Sequence, residues 1–239
     1  MTEDGKQKFV QAMKKYPQIV HILLIREKWD LALFLLVEDI QEFRELWDSI
    51  LVQYRPYIKH HLVSLYAPLH NFNKSFLAQN IKTERALGYA KFNRDVDIPF
   101  ALRYAENVRQ TIVELSRKTK KSPKTVLKII SSLEKEKIIL GYSLLLNPLA
   151  FEYSFYLVSL ILKEGKHTPE LFHYCKSIPE VYQINRIIGG DDMELLFMIE
   201  DKHKLLKIVD QLKEIFSQSI VDETIFEFVP AYSKGIIPI

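Results

Sequence analysis

Residues 16–39, YPQIVHILLIREKWDLALFLLVED, and residues 178–201, IPEVYQINRIIGGDDMELLFMIED, carry one pattern twice, 162 positions apart and without a gap. Pro17, Ile22, Ile25, Asp30, Leu33, Glu38 and Asp39 recur as Pro179, Ile184, Ile187, Asp192, Leu195, Glu200 and Asp201. The register continues through Asp48/Asp210, Ile58/Ile220 and Pro68/Pro230. Solenoid repeats are only about 20–50 residues long, so a period of this length means two copies of one domain. The fold then turns on what one copy is and what lies between the two.

The second copy reads as strand, helix, strand, strand, helix, strand. Its opening strand is YSFYLVSLIL (153–162), apolar, aromatic and β-branched. Thr168 and Pro169 open a helix, where proline needs no backbone donor. VYQINRIIG and MELLFMIE form a hairpin across Gly189, Gly190, Asp191 and Asp192, a turn that glycines and aspartates favour. Leu205, Ile208, Leu212 and Ile215 have helical spacing, and SIVDETIFEFV is the returning strand. This βαββαβ order implies a ferredoxin-like antiparallel sheet with helices on one face. In the first copy GKQKFVQAMKKYP aligns with the first helix, but nothing precedes it to supply the opening strand. That strand is central in such a sheet, so its absence leaves two neighbours with unpaired backbone groups. Residues upstream, or another segment, must take the slot; both readings stay open.

The net charge of +3 conceals a polarised distribution. Residues 101–148 hold 10 Lys/Arg against 4 Asp/Glu, residues 149–239 hold 9 against 14, and residues 1–100 hold 14 against 12. A basic middle beside an acidic second copy suggests a polyanion-binding module joined to a ligand- or partner-facing one. Within the basic region, RQTIVELSRKTKKSPKTVLKIISSLEKEKIILGY holds two short helices and a tight turn. Ser122 caps the second with Pro123 at its first position, and Val126, Ile129 or Ile130, and Leu133 lie along one face. The β-rich run IILGYSLLLNP follows as a wing, giving a winged helix-turn-helix whose second helix fits a major groove. Lys120, Lys121, Lys124 and Lys128 gather at the leading end of that helix.

This stretch, followed by a βαββαβ domain with IIGGDDMELLF and the tail YSKGIIP, resembles the Lrp/AsnC family of transcription regulators over roughly residues 97–238. The positions that match in order include Leu115, Ser122, Pro123, Thr125, Val126, Leu133, Glu134, Gly141, Tyr142, Asn147, Pro148, Gly189 and Asp192. The chain departs from the family pattern at Lys120 and Lys137, where glycine is usual, and at Ile129, where a basic residue is common. Lysine in place of arginine favours phosphate contact over bidentate guanine reading. The first copy resembles a second, N-terminally incomplete sensing domain of the family.

The expected fold class is α+β: two ferredoxin-like domains, the first lacking its opening strand, flanking a winged helix-turn-helix. The expected boundaries are 1–68 for the incomplete sensing domain, 69–96 for a basic linker, 97–148 for the DNA-binding domain and 149–239 for the second sensing domain. The resemblance implies double-stranded DNA as partner, met by Lys120, Lys121, Ser122, Lys124, Thr125 and Lys128. It also implies an amino-acid effector at Gly189, Gly190, Asp191 and Asp192, and a homodimer or higher oligomer. The first copy has Glu27 and Lys28 where those glycines stand, so at most one effector loop per chain is expected.

No apolar run approaches the ~18 residues that span a bilayer. The single Cys175 allows no internal disulfide, and its setting suits a buried thiol in a cytoplasmic protein. Catalysis finds little footing: His60 and His61 would point to opposite faces of a strand, and neither GxSxG nor a P-loop is present. A non-enzyme without metal or cofactor is expected. Two alternatives stay open, a scaffold whose winged helix no longer binds DNA and an enzyme laid out like the siroheme decarboxylases.

Overall fold

The computed structural model describes residues 3–26, 28–72, 84–87, 97–142, 152–163 and 169–233. The first copy supplies α1 (Glu3–Met13), β1 (Ile19–Ile25), β2 (Leu31–Leu35), α2 (Ile40–Tyr54) and β3 (Leu65–Phe72). A short strand β4 (Glu84–Leu87) precedes three helices, α3 (Ile98–Glu106), α4 (Ile112–Thr119) and α5 (Pro123–Lys135). The second copy supplies β5 (Ser154–Leu162), α6 (Pro169–Ser177), β6 (Val181–Ile188), β7 (Met193–Ile199), α7 (Lys202–Ile215) and β8 (Ile220–Ser233). The fold is α+β with an antiparallel sheet. Much of the expected wing (143–148) and most of the expected linker lie outside the described residues, but β4 makes part of that linker a strand.

Local chemistry repeats with the sequence. Asp39 caps α2 by accepting from the Glu42 amide, and Asp201 caps α7 by accepting from the His203 amide. The hairpin loops also close alike: the Ile25 amide donates to Asp30 O at 3.1 Å, and the Ile187 amide donates to Asp192 O at 3.2 Å.

The two copies do not build two sheets. Their strands join in one, in the order β2-β1-β8-β5-β7-β6-β3-β4. The second copy keeps the ferredoxin-like order β8-β5-β7-β6 at the centre, with β5 paired along its length to both β7 and β8. The first copy is divided around it. Its hairpin β1–β2 adds to the β8 edge, with Leu24 opposite Val229, and β3 adds to the β6 edge, with His70 opposite Ile184. Both junctions change register beside a repeated proline, Pro230 in one and Pro68 in the other. Proline has no amide to donate, so a ladder must skip there.

The sheet curls until its ends meet. Phe34 of β2 stacks on Tyr66 of β3, centroids 5.6 Å apart, although five strands separate β2 from β3 in the sheet order. The helices lie outside the curl. Leu171, Cys175, Leu205, Val209 and Leu212 of α6 and α7 pack on Val158, Leu160, Ile184 and Leu195. Phe9, Val10, Met13 and Ile50 of α1 and α2 pack on Ile19 and Ile22. Inside the curl a second core joins the copies: Leu23 and the partly buried Phe34 meet Phe155, Leu157, Tyr182, Leu196, Phe226 and Phe228. Cys175 is buried, as its setting in the sequence suggests.

Candidate nucleic-acid interface and effector loop

The helices α3, α4 and α5 share a small core of Phe100, Leu115, Val126, Ile130 and Leu133. Thr111 and Glu114 close a capping box at the start of α4. Ser122 caps α5, accepting from the Thr125 amide at 3.1 Å, with Pro123 next. Between the helices Lys120 stands in the left-handed region, φ 54°, and Lys137 after α5 does likewise, φ 57°. These are the two positions where the sequence departs from a glycine pattern, and a side chain there costs roughly 1 kcal/mol or more. The turn is fastened by Ser116 Oγ, which donates to Lys121 O at 2.5 Å, and by an ion pair between Lys121 and Asp97 at 3.1 Å.

The residues expected to meet DNA divide accordingly. Lys120, Ser122, Lys124, Thr125 and Lys128 are exposed around the start of α5. Lys121 is turned to Asp97, and the Ser122 and Thr125 hydroxyls are 2.7 Å apart and engaged with each other. Ser131 and Lys135 extend the exposed row of Lys124 and Lys128 along α5. The sequence signal for them was available, since both follow Lys124 at helical spacings of seven and eleven. Nothing local announced Arg85. From β4 it donates to Tyr142 O at 3.1 Å, while the Tyr142 hydroxyl donates to Glu134 of α5 at 2.7 Å. The sheet and the helical module are thereby tied together.

In the hairpin loop of the second copy, Gly189 and Gly190 have φ of 87° and 110°. A Cβ on Gly189 would lie 2.9 Å from Val63 O, and the Ser64 hydroxyl donates to Gly189 O. The glycines therefore serve both a turn and close approach by the first copy. Asp192 accepts from the Leu162 amide at 2.7 Å and donates its own amide to Leu160 O at 3.0 Å, fastening the loop to β5. Asp191 makes no hydrogen bond or ion pair among the described residues. In the first copy Asp30 instead pairs with Lys6 at 2.8 Å, and the Lys6 hydrogen bond holds its carboxyl below the usual range.

Beside this loop, on the concave face, runs a polar seam between the copies. Tyr66 and Asn185 donate to Glu194 at 2.9 and 3.1 Å, Gln183 donates to Asn185 at 3.0 Å, and Asn71 donates to Gln183 at 3.2 Å. Burial pushes the Glu194 carboxyl up to about 7; the two donors pull against that rise and the Asp191 carboxylate adds to it. Among the described residues no three His, Cys, Asp or Glu side chains converge as a metal site, and no helix is long and apolar enough to cross a membrane.

No family model matches the chain, and no curated protein matches it. Solved structures do. A transcriptional regulator of Neisseria meningitidis in complex with L-Met is 26% identical, over 58% of this chain and 90% of that one, with a TM-score of 0.48. AsnC of E. coli is 19% identical, over 58% and 93%, at 0.48. An AsnC family transcriptional regulator of Agrobacterium tumefaciens is 19% identical, over 58% and 90%, at 0.45.

Two outcomes follow from this geometry. Lys120→Gly relieves left-handed strain and raises stability by about 1 kcal/mol, read as a higher melting midpoint; an unchanged or lower midpoint contradicts the turn geometry. Glu194 has a folded-state pKa above its ordinary value, so the fold favours its neutral form. Its contribution is best below about pH 4.5 and is lost as pH rises through 7. The stability of Glu194→Gln relative to wild type, read from the melting midpoints, should therefore climb between pH 5 and pH 8, by no more than about 3 kcal/mol. Parallel curves for the two proteins would show that Glu194 is not held neutral.

Proposed function

We propose that this chain is a DNA-binding transcription regulator of the Lrp/AsnC type, with a winged helix-turn-helix at about 97–148 carried by paired sensing copies. The observation that supports it is the row Lys124, Lys128 and Lys135 on the exposed face of α5, with Lys120 at its leading end. None of these lysines makes an ion pair among the described residues, while their neighbour Lys121 does. Cations free of internal partners, on a capped helix after a three-residue turn, suit the phosphates of a duplex groove. Each chain brings one such helix pair, so a two-fold operator is met by two chains. DNA binding is measured against salt concentration for wild type and for Lys124→Glu/Lys128→Glu/Lys135→Glu. The variant should bind all sequences more weakly, with the log–log salt slope shallower by about 5, since two chains each lose three phosphate contacts. Equal affinity and slope would remove α5 as the contact.

The reading extends to an amino-acid effector at Gly189, Gly190, Asp191 and Asp192. Asp191 supports it, because its carboxylate is left unengaged where that of Asp192 is held by the Leu162 amide. An α-ammonium group is the natural counter-charge. A melting screen of the twenty amino acids should find one that stabilises wild type, by about 2.7 kcal/mol at a hundredfold excess over its Kd. Asp191→Asn should abolish the gain and Asp30→Asn should keep it. If no amino acid shifts the wild-type midpoint, the loop is a turn alone.

A further inference from the structure

We infer that Glu194, Ser159 and Thr224, side by side on the inner face of the curl, form a binding site for the ammonium group of a small primary amine. The three stand in register on neighbouring strands. Glu194 of β7 lies opposite Ser159 of β5, and Ser159 lies opposite Thr224 of β8. Alternation along the strands puts them inside, because Leu195, Val158 and Leu160 pack outward against the helices while Leu157, Leu196 and Phe226 face the enclosed core. Residues directly opposite across a ladder are about 5 Å apart at Cβ, and the concave curvature draws their side-chain ends closer.

The row is marked as a site by the hydrogen bonds it leaves unmade. Tyr66 and Asn185 both donate to one oxygen of Glu194, Oε2. Its Oε1 and the hydroxyls of Ser159 and Thr224 make no hydrogen bond among the described residues, although Ser159 is only 3% exposed. Burying a polar group without a partner is costly. None of these oxygens is sealed into the core as the Trp47 indole nitrogen is, so they border open space. Glu194 and Tyr66 point the same way: desolvation pushes the pKa of both up, yet each side chain keeps part of its surface open. They line a recess rather than packed core. One row inward, the buried Leu196, Leu157 and Phe226 close its floor. One row outward Ile161 is 40% exposed and lies opposite the exposed Asp222, so entry is from that rim. The ends of the sheet meet at Phe34 and Tyr66, which limits the occupant to something small.

The ligand's chemistry follows from the atoms left open. They are a carboxyl oxygen and two hydroxyls, all able to accept, and the charge beside them, that of Asp191, is again acidic. An ammonium group carries three N–H donors and no acceptor, which matches them in number, polarity and charge. The head enters first, and a short apolar tail lies toward Ile161 at the rim. The groups that face the Glu194 carboxyl are Tyr66 from β3, Asn185 from β6, Ser159 from β5 and Asp191 from the hairpin loop. An entering ammonium displaces the proton that this carboxyl holds below about pH 7, and the proton passes to solvent. The site is separate from the proposed effector loop, where Asp191 and not Glu194 is the counter-charge.

The test titrates butylamine into the full chain by calorimetry at pH 8, with butanol as the uncharged control and butyltrimethylammonium as the charged control that has no N–H donor. Butylamine should bind saturably, with a roughly millimolar Kd for so small a ligand, and neither control should bind. Affinity should be about tenfold higher at pH 8 than at pH 6, because the Glu194 carboxyl ionises through about 7. Glu194→Gln keeps the shape and an acceptor but loses the charge, and should weaken binding by about tenfold or more. Ser159→Ala should weaken it by roughly threefold to tenfold, and Asp191→Asn by less than about threefold. The inference is overturned if butylamine does not bind the wild-type chain, or if either control binds as tightly. It is overturned as well if Glu194→Gln keeps the binding that Asp191→Asn abolishes, since the amine then sits at the hairpin loop.

Discussion

Backbone pairing between the copies, β1 on β8 and β3 on β6, is the constraint from which the architecture follows. A ferredoxin-like sheet has two edges, and an edge left open presents rows of amides and carbonyls that water or another strand must satisfy. Here each edge of the complete second copy is met by part of the first. The curl that results encloses Leu23, Phe155, Leu157, Leu196 and Phe228 between the copies and sets α1, α2, α6 and α7 on the outside. It also brings Ser64 against Gly189 and Tyr66 against Glu194, so the loop of the second copy is built partly by the first.

Much of this was legible in the sequence because it is local. The hairpin turn of the second copy and the Ser122–Pro123 start of α5 each rest on residues a few positions apart, and the repeat shows as a gapless match between two such short stretches. What was not legible is long-range. That β1 pairs with β8, more than 200 residues away, is decided by which edges are free, and edges are a property of the assembled sheet. The expectation of two sheets gave way to one for that reason.

The candidate sites show the same division. The lysines around α5 follow from helical spacing, yet nothing in the sequence said that Lys121 is taken by Asp97, or that Asp192 is occupied by the Leu162 amide. Lys120 and Lys137 were visible as departures from a glycine pattern, and their positive φ gives the physical content of that departure: the turn is kept and the strain accepted. Arg85 was invisible, because its contact with Tyr142 depends on β4 reaching the sheet.

The most direct test of the central claim is the set of backbone proton contacts across the two junctions, measured by nuclear Overhauser spectroscopy on the full chain. Opposed residues in an antiparallel ladder lie about 4.5–5.5 Å apart at Cα. Cross-strand contacts should therefore link Leu24 with Val229 and His70 with Ile184, as well as Leu157 with Leu196 inside the second copy. If Leu157 and Leu196 are connected while neither junction pair is, the copies fold as separate sheets and the single curled sheet is wrong.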